Sequence, residues 1–146
     1  MMATRLDYKQ ASLKAVQAQF GVEQYLSKAG LELALMQLVR LRASQLNGCA
    51  FCVDMHYTDA RKEDDTERRL AAVVVWRETP FFTQRERAAL AWTEAVTLVA
   101  QTHVPDDVFD NVRAHFTDKE LVDLTLLIGS INTWNRIAIS FRQSPE

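Results

Sequence analysis

Apolar residues recur along this chain at helical spacing. From Leu31, the positions Leu33, Leu35, Met36, Leu38, Val39, Leu41 and Leu46 repeat at steps of three and four until Asn47-Gly48 interrupts them. This pattern predicts one long, substantially buried helix. Upstream, Tyr8 to Phe20 is amphipathic and is expected to end at Gly21, with a short piece from Val22 to Ala29 ending at Gly30. Downstream, a segment opens at Cys49 and runs to about Lys62, before the turn Glu63-Asp64-Asp65 and a cap at Thr66. Thr66 to Glu78 would suit a strand at Val73-Val74-Val75, but the flanking Glu67-Arg68-Arg69-Leu70 favours helix. Thr83-x-x-Glu86 and Thr117-x-x-Glu120 each have the capping-box pattern, in which hydroxyl and carboxylate satisfy free amides at a helix start. They open helices expected to reach about Gln101 and Phe141, and Pro105-Asp106-Asp107 opens a short one between them. The reading is all-α: one domain over residues 1–146, a bundle of about seven or eight helices.

Composition agrees with this and narrows the function. Of 146 residues, 48% are apolar and 25% charged, and only 4 Gly and 3 Pro are present, too few for the many tight turns of a β-sandwich or barrel. A chain of this length buries roughly 70% of its unfolded surface, enough for a real core. Seventeen basic and nineteen acidic side chains, a net charge of -2 without single-sign blocks, give no electrostatic footprint for nucleic acid or an anionic membrane. No apolar run approaches a bilayer span, and MMATRLDYKQ lacks the apolar region of a signal peptide, so a cytoplasmic location is expected. There, two cysteines are normally thiols.

Both thiols fall in Ser44-Gln45-Leu46-Asn47-Gly48-Cys49-Ala50-Phe51-Cys52-Val53-Asp54-Met55-His56. On a helix, Cys49, Cys52 and His56 lie within about 60° of one another, so a thiol pair neighbours an imidazole. Cys49 falls at a helix start, where free amides and the macrodipole stabilise a thiolate, and His56 is one turn beyond Cys52. Three readings compete. Two small buried residues at a helix crossing would leave the matched imidazole unexplained. Zinc on Cys49, Cys52 and His56 would need a fourth ligand, which the distant His103 and His115 do not supply. Thiol–disulfide chemistry uses every member of the set, although the absence of a βαβ context excludes a thioredoxin fold.

The run Leu38 to His56 resembles the alkyl hydroperoxidase D (AhpD) family, within the carboxymuconolactone decarboxylase-like superfamily. The similarity extends through Trp76-Arg77-Glu78-Thr79-Pro80, Arg85 to Glu94, and Ile131 to Arg136. It implies an all-helical fold, homo-oligomers (trimers or hexamers), and a cysteine-based peroxidase using no cofactor and no metal. It also implies that Cys52 attacks hydrogen peroxide or an organic hydroperoxide, that Cys49 resolves the product, and that His56 serves a proton relay. The residues alone divide between the two cysteines as the thiolate, the helix start favouring Cys49 and the imidazole favouring Cys52. The implied reductant is an external dithiol, lipoyl-bearing or thioredoxin-like.

One departure stands out. Twelve residues before Cys49, where the family usually carries a relay glutamate, this chain has Gln37, an amide that orients but cannot accept a proton as a general base does. Either activity is weaker or another carboxylate substitutes, the candidates being Glu94, mid-helix among apolar neighbours, and Glu86, set against the plainer readings of an exposed or ion-paired surface carboxylate and, preferred for Glu86, a capping residue. The same superfamily suggests a decarboxylase-like reaction, and the missing glutamate suggests a redox-sensing or adaptor oligomer. Trp134-Asn135-Arg136 reads as pocket lining, subunit contact or a buried polar network, the last preferred. Trp76, Trp92, Phe81 and Phe82 read as core or interface anchors, and His103 and His115 as polar residues near helix ends.

Overall fold

A computed structural model describes residues 2–146. Among them are nine α-helices, one 3₁₀ segment and no strand: α1 (Tyr8–Ala11), α2 (Leu13–Lys28), α3 (Leu33–Asn47), α4 (Ala50–Lys62), α5 (Glu67–Ala72), the 3₁₀ segment (Val73–Glu78), α6 (Gln84–Thr97), α7 (Val99–Thr102), α8 (Asp106–Arg113) and α9 (Asp118–Phe141). The all-α fold agrees with the sequence, and so do both capping boxes, at Thr83/Glu86 and Thr117/Glu120. None of these helices is long and apolar enough to cross a membrane.

Three boundaries differ from expectation, and the last of them brings the count to nine α-helices. The N-terminal break falls at Ser12 (φ −148°), and α2 passes straight through Gly21. Glycine in a helix interior costs about 1 kcal/mol, and burial of Val16 and Leu26 on either side of it offsets that. The valine-rich run is neither strand nor α-helix: α5 tightens into a 3₁₀ segment with a kink at Val75 (φ −124°, ψ 30°). The alternation lets Val73 and Trp76 reach the core while Val74 and Val75 stay exposed. Finally, Leu98 (ψ 34°) separates α6 from α7.

Helix α3 is the central element, with an apolar cluster on each flank. Leu35, Met36 and Val39 pack with Ala88, Ala89 and Trp92 of α6, Val112 of α8, and Leu124, Leu127 and Ile128 of α9. Leu38 and Leu41 face the other way, onto Ala60 of α4, Leu70 of α5, Val73 and Trp76, with Leu90 of α6 closing this second cluster. Each fully buried leucine contributes on the order of 2 kcal/mol. With α3 held on both flanks, its C-terminus becomes a rigid platform for the turn into α4.

Candidate active site

Three asparagines fasten the C-terminus of α3 to α9. Asn47 Nδ2 donates to Asn132 Oδ1 and Asn135 Oδ1, each at 2.9 Å, and Asn135 Nδ2 donates to Ser44 Oγ at 3.0 Å. Asn135 is fully buried, so its polar atoms require these partners. The Trp134-Asn135-Arg136 insertion is thus divided: Asn135 belongs to a buried network, while Trp134 lines a cleft beside α4.

Gly48 then takes the left-handed conformation (φ 71°, ψ 31°) that ends α3, and the Cys49 N–H donates to Ser44 O at 3.0 Å. A residue with a side chain would be strained there. The turn sets Cys49 in extended conformation as the N-cap of α4, with its Sγ accepting the Cys52 N–H at 3.3 Å. Cys49 and Cys52 are joined as a disulfide, their Cα atoms 5.3 Å apart. Each is only 1% exposed, packed with Ala138 of α9 and the partly buried Phe51.

One turn further along α4, His56 is buried, and its Nδ1 lies 3.1 Å from Gln37 Oε1 on α3. A carbonyl oxygen only accepts, which assigns the imidazole proton to Nδ1 and leaves Nε2 as an acceptor. Burial, reinforced by the Arg40 charge, lowers the His56 pKa from 6.5 to about 4, against the opposing carboxylates of Asp59 and Glu23. With the disulfide formed, the ring is neutral at pH 7.

Cys52 and His56 line the cleft, which has a volume of about 330 Å³ and lies between α1, α2, α3, α4 and α9. Its walls are largely apolar, with Val16 and Phe20 from α2, Met55 from α4, and Ile131 and Trp134 from α9. Gln37 stands behind His56 and is not among the lining residues.

Glu94 and Glu86 are placed elsewhere. Glu94 accepts from Arg42 Nε at 3.0 Å, Trp76 Nε1 at 2.8 Å and Arg77 Nη1 at 2.6 Å. Burial raises its pKa, but the hydrogen bonds from Arg77, Trp76 and Arg42 outweigh that and hold it below the usual carboxylate range. Glu86 accepts the Thr83 N–H at 2.8 Å and pairs with Arg69 at 2.8 Å. Neither lines the cleft, and both have structural partners that account for them.

A carboxylate overlooked in the sequence does line it. Glu23 of α2 accepts from Arg40 Nη2 at 2.9 Å, Ser130 Oγ at 2.5 Å and Trp134 Nε1 at 3.1 Å. Its sequence signal is periodicity: Val16, Phe20 and Glu23 fall on one face of α2, so the glutamate continues an inward stripe. Arg40 carries a similar signal, as a charge inside the apolar run of α3. Among the described residues, no three His, Cys, Asp or Glu side chains are grouped to hold a metal ion.

An all-helical bundle presenting a Cys-x-x-Cys pair and a buried imidazole on one cleft defines a class, and comparison identifies the family. The profile of the carboxymuconolactone decarboxylase family matches residues 11–95, and the chain belongs to that family. The fold is of the AhpD-like type. A crystal structure of a protein of unknown function from Agrobacterium tumefaciens, provisionally described as antioxidant defence protein AhpD, is 49% identical, superposes with a TM-score of 0.95 and covers 99% of both chains. The uncharacterised protein YdfG of Bacillus subtilis is 38% identical over 139 residues, 95% of each chain. The debrominase Bmp8 shares the fold at a TM-score of 0.84 and 17% identity, covering 94% of this chain and 74% of its own. The fold is thus shared with an enzyme named for debromination.

Proposed function

We propose that the protein is a cysteine-based peroxidase that reduces hydrogen peroxide or organic hydroperoxides through a Cys49/Cys52 dithiol–disulfide cycle. The observation that carries this reading is the placement of Cys52 on a largely apolar cleft, already bonded to Cys49 and one turn from a neutral imidazole. In the reduced protein the Cys52 thiolate attacks the peroxide oxygen, the O–O bond breaks, and sulfenic acid and an alcohol result. The thiol proton leaves to solvent, and a proton relayed from water at His56 Nε2 reaches the departing alkoxide, while Gln37 fixes the ring through Nδ1. The Cys49 thiol then condenses with the sulfenic acid, releasing water and giving the disulfide. An external dithiol, lipoyl-bearing or thioredoxin-like, takes up the oxidising equivalents by exchange. Because both sulfurs are buried, that dithiol has to enter the cleft.

Free-thiol content before and after stoichiometric organic hydroperoxide, with chelator present, tests the cycle. Wild type loses both thiols, Cys49→Ser undergoes one oxidation without cycling, and Cys52→Ser keeps its remaining thiol and turns over nothing. Turnover retained by Cys52→Ser refutes the assignment.

A further inference from the structure

The relay as assembled is short of a base. Gln37 occupies the glutamate position, Glu94 and Glu86 are bound elsewhere, and the cleft carboxylates are already partnered, Glu23 by Arg40, Ser130 and Trp134 and Asp59 by Lys62. An unperturbed thiol has a pKa of about 8.5. Burial, reinforced by the Arg40 charge, disfavours the protonated His56 ring and so makes it a weak acceptor for the thiol proton. Some other group must hold the Cys52 charge.

The ionisable groups facing the Cys52 cleft can be named element by element. They are Tyr8 and Lys9 of α1, Glu23 of α2, Arg40 of α3, and His56 and Asp59 of α4, while α9 contributes only Ile131, Trp134 and Ala138. Arg40 alone is a cation anchored in the protein: its side chain is 12% exposed and ion-paired to Glu23 at 2.9 Å. It lies one turn beyond Gln37 on α3, hence on the helix face that already meets His56. Glu23 meets the guanidinium from α2. On the His56 ring the Arg40 charge outweighs that of Asp59 or of Glu23 taken singly.

We propose that Arg40, fixed by Glu23, is the positioning residue that sustains Cys52 as a thiolate, taking by electrostatics the part that a relay glutamate would take by proton transfer. This rests on the reading of Cys52 as the attacking sulfur. The same cation that reinforces burial in keeping the neighbouring imidazole neutral favours the anionic sulfur, so the reduced site holds a thiolate beside a neutral ring able to relay a proton. Glu23 tempers that field and prevents Arg40 from turning to solvent.

The test is the pH dependence of iodoacetamide alkylation in the full chain, reduced and carrying Cys49→Ser so that Cys52 is the one thiol read. Arg40→Gln raises the Cys52 pKa by about one unit, a tenfold loss of thiolate below the transition, and Arg40→Lys restores most of it. Glu23→Gln, whose amide oxygen still accepts from Arg40, shifts the pKa downward. Opposite signs from the two halves of one ion pair are what a charge effect gives and a loosened structure does not. An unmoved pKa in Arg40→Gln, or shifts of the same sign in both variants, overturns the proposal. Should Arg40→Gln not fold, Glu23→Gln decides alone: a downward shift supports the assignment and none or an upward one ends it. Hydroperoxide consumption, measured in parallel, separates the two ideas. Shifts of the expected signs without peroxide reaction leave Arg40 in its role and remove the peroxidase reading, whereas peroxide turnover with a flat alkylation response does the reverse.

Discussion

Glu23 and Glu94 are bound in nearly the same way and sit in very different places. Each carboxylate accepts from an arginine of α3, Arg40 or Arg42, and from a tryptophan indole, Trp134 or Trp76. The two arginines are two residues apart, so their side chains leave the helix about 200° from one another. One pair closes the seam between α3, α6 and the 3₁₀ segment, and the other borders the cleft that holds Cys52. A carboxylate's partners therefore say little about its use. What distinguishes Glu23 is the sulfur and the open volume beside it.

Acid should expose the cleft side of this comparison most strongly. In the oxidised protein the folded-state pKa of His56, about 4, lies below its ordinary 6.5, so on acidification the unfolded chain takes up the proton first. The corresponding stability is complete above pH 6.5 and is lost as pH falls to 4, a total of about 3 kcal/mol. Urea midpoints across that range, compared between wild type and His56→Gln, should diverge by this amount, and parallel curves would show that the ring is not buried. Removing the scaffold carboxylate comes next. Glu94→Ala strands Arg42 and the Trp76 indole and should cost about 2 kcal/mol, while the alkylation profile of reduced Cys52 stays that of wild type. A change in Cys52 reactivity in this variant would erase the distinction between the two pairs. The smallest effect is expected at the start of the same helix. Thr83→Ala removes one half of a capping box and should lower stability by about 1 kcal/mol, read from the thermal midpoint, again without touching the thiol.

Much of the fold is legible in the sequence where a local rule decides the outcome. Thr83 and Thr117 announce their helices because the hydroxyl and the carboxylate three residues on complete each other's hydrogen bonds. Gly30 and Gly48 mark real chain stops because both take positive φ, 105° and 71°. Gly21 looks the same in sequence, yet it lies inside α2, where the packing of the flanking residues decides. The grouping of Cys49, Cys52 and His56 comes from helical spacing, with Cys49 at the start of α4. The partners of Gln37 and Glu94 do not, because they come from other helices: His56 is 19 residues from Gln37, and Trp76 is 18 from Glu94. Glu23 escapes a sequence reading for the same reason, its contacts with Ser130 and Trp134 spanning 107 and 111 residues.

The disulfide closes a ring with only two residues between its ends. The conformational freedom that a crosslink removes from an unfolded chain grows with the logarithm of the loop it closes, and so short a loop is worth only about 2 kcal/mol, less than half of what a hundred-residue loop would give. Oxidation and reduction at Cys49 and Cys52 thus alter the entropy of the unfolded chain only slightly. The bundle is held by its helix packing in either state, so the sulfur pair is free to exchange electrons without the integrity of the fold depending on which form it has.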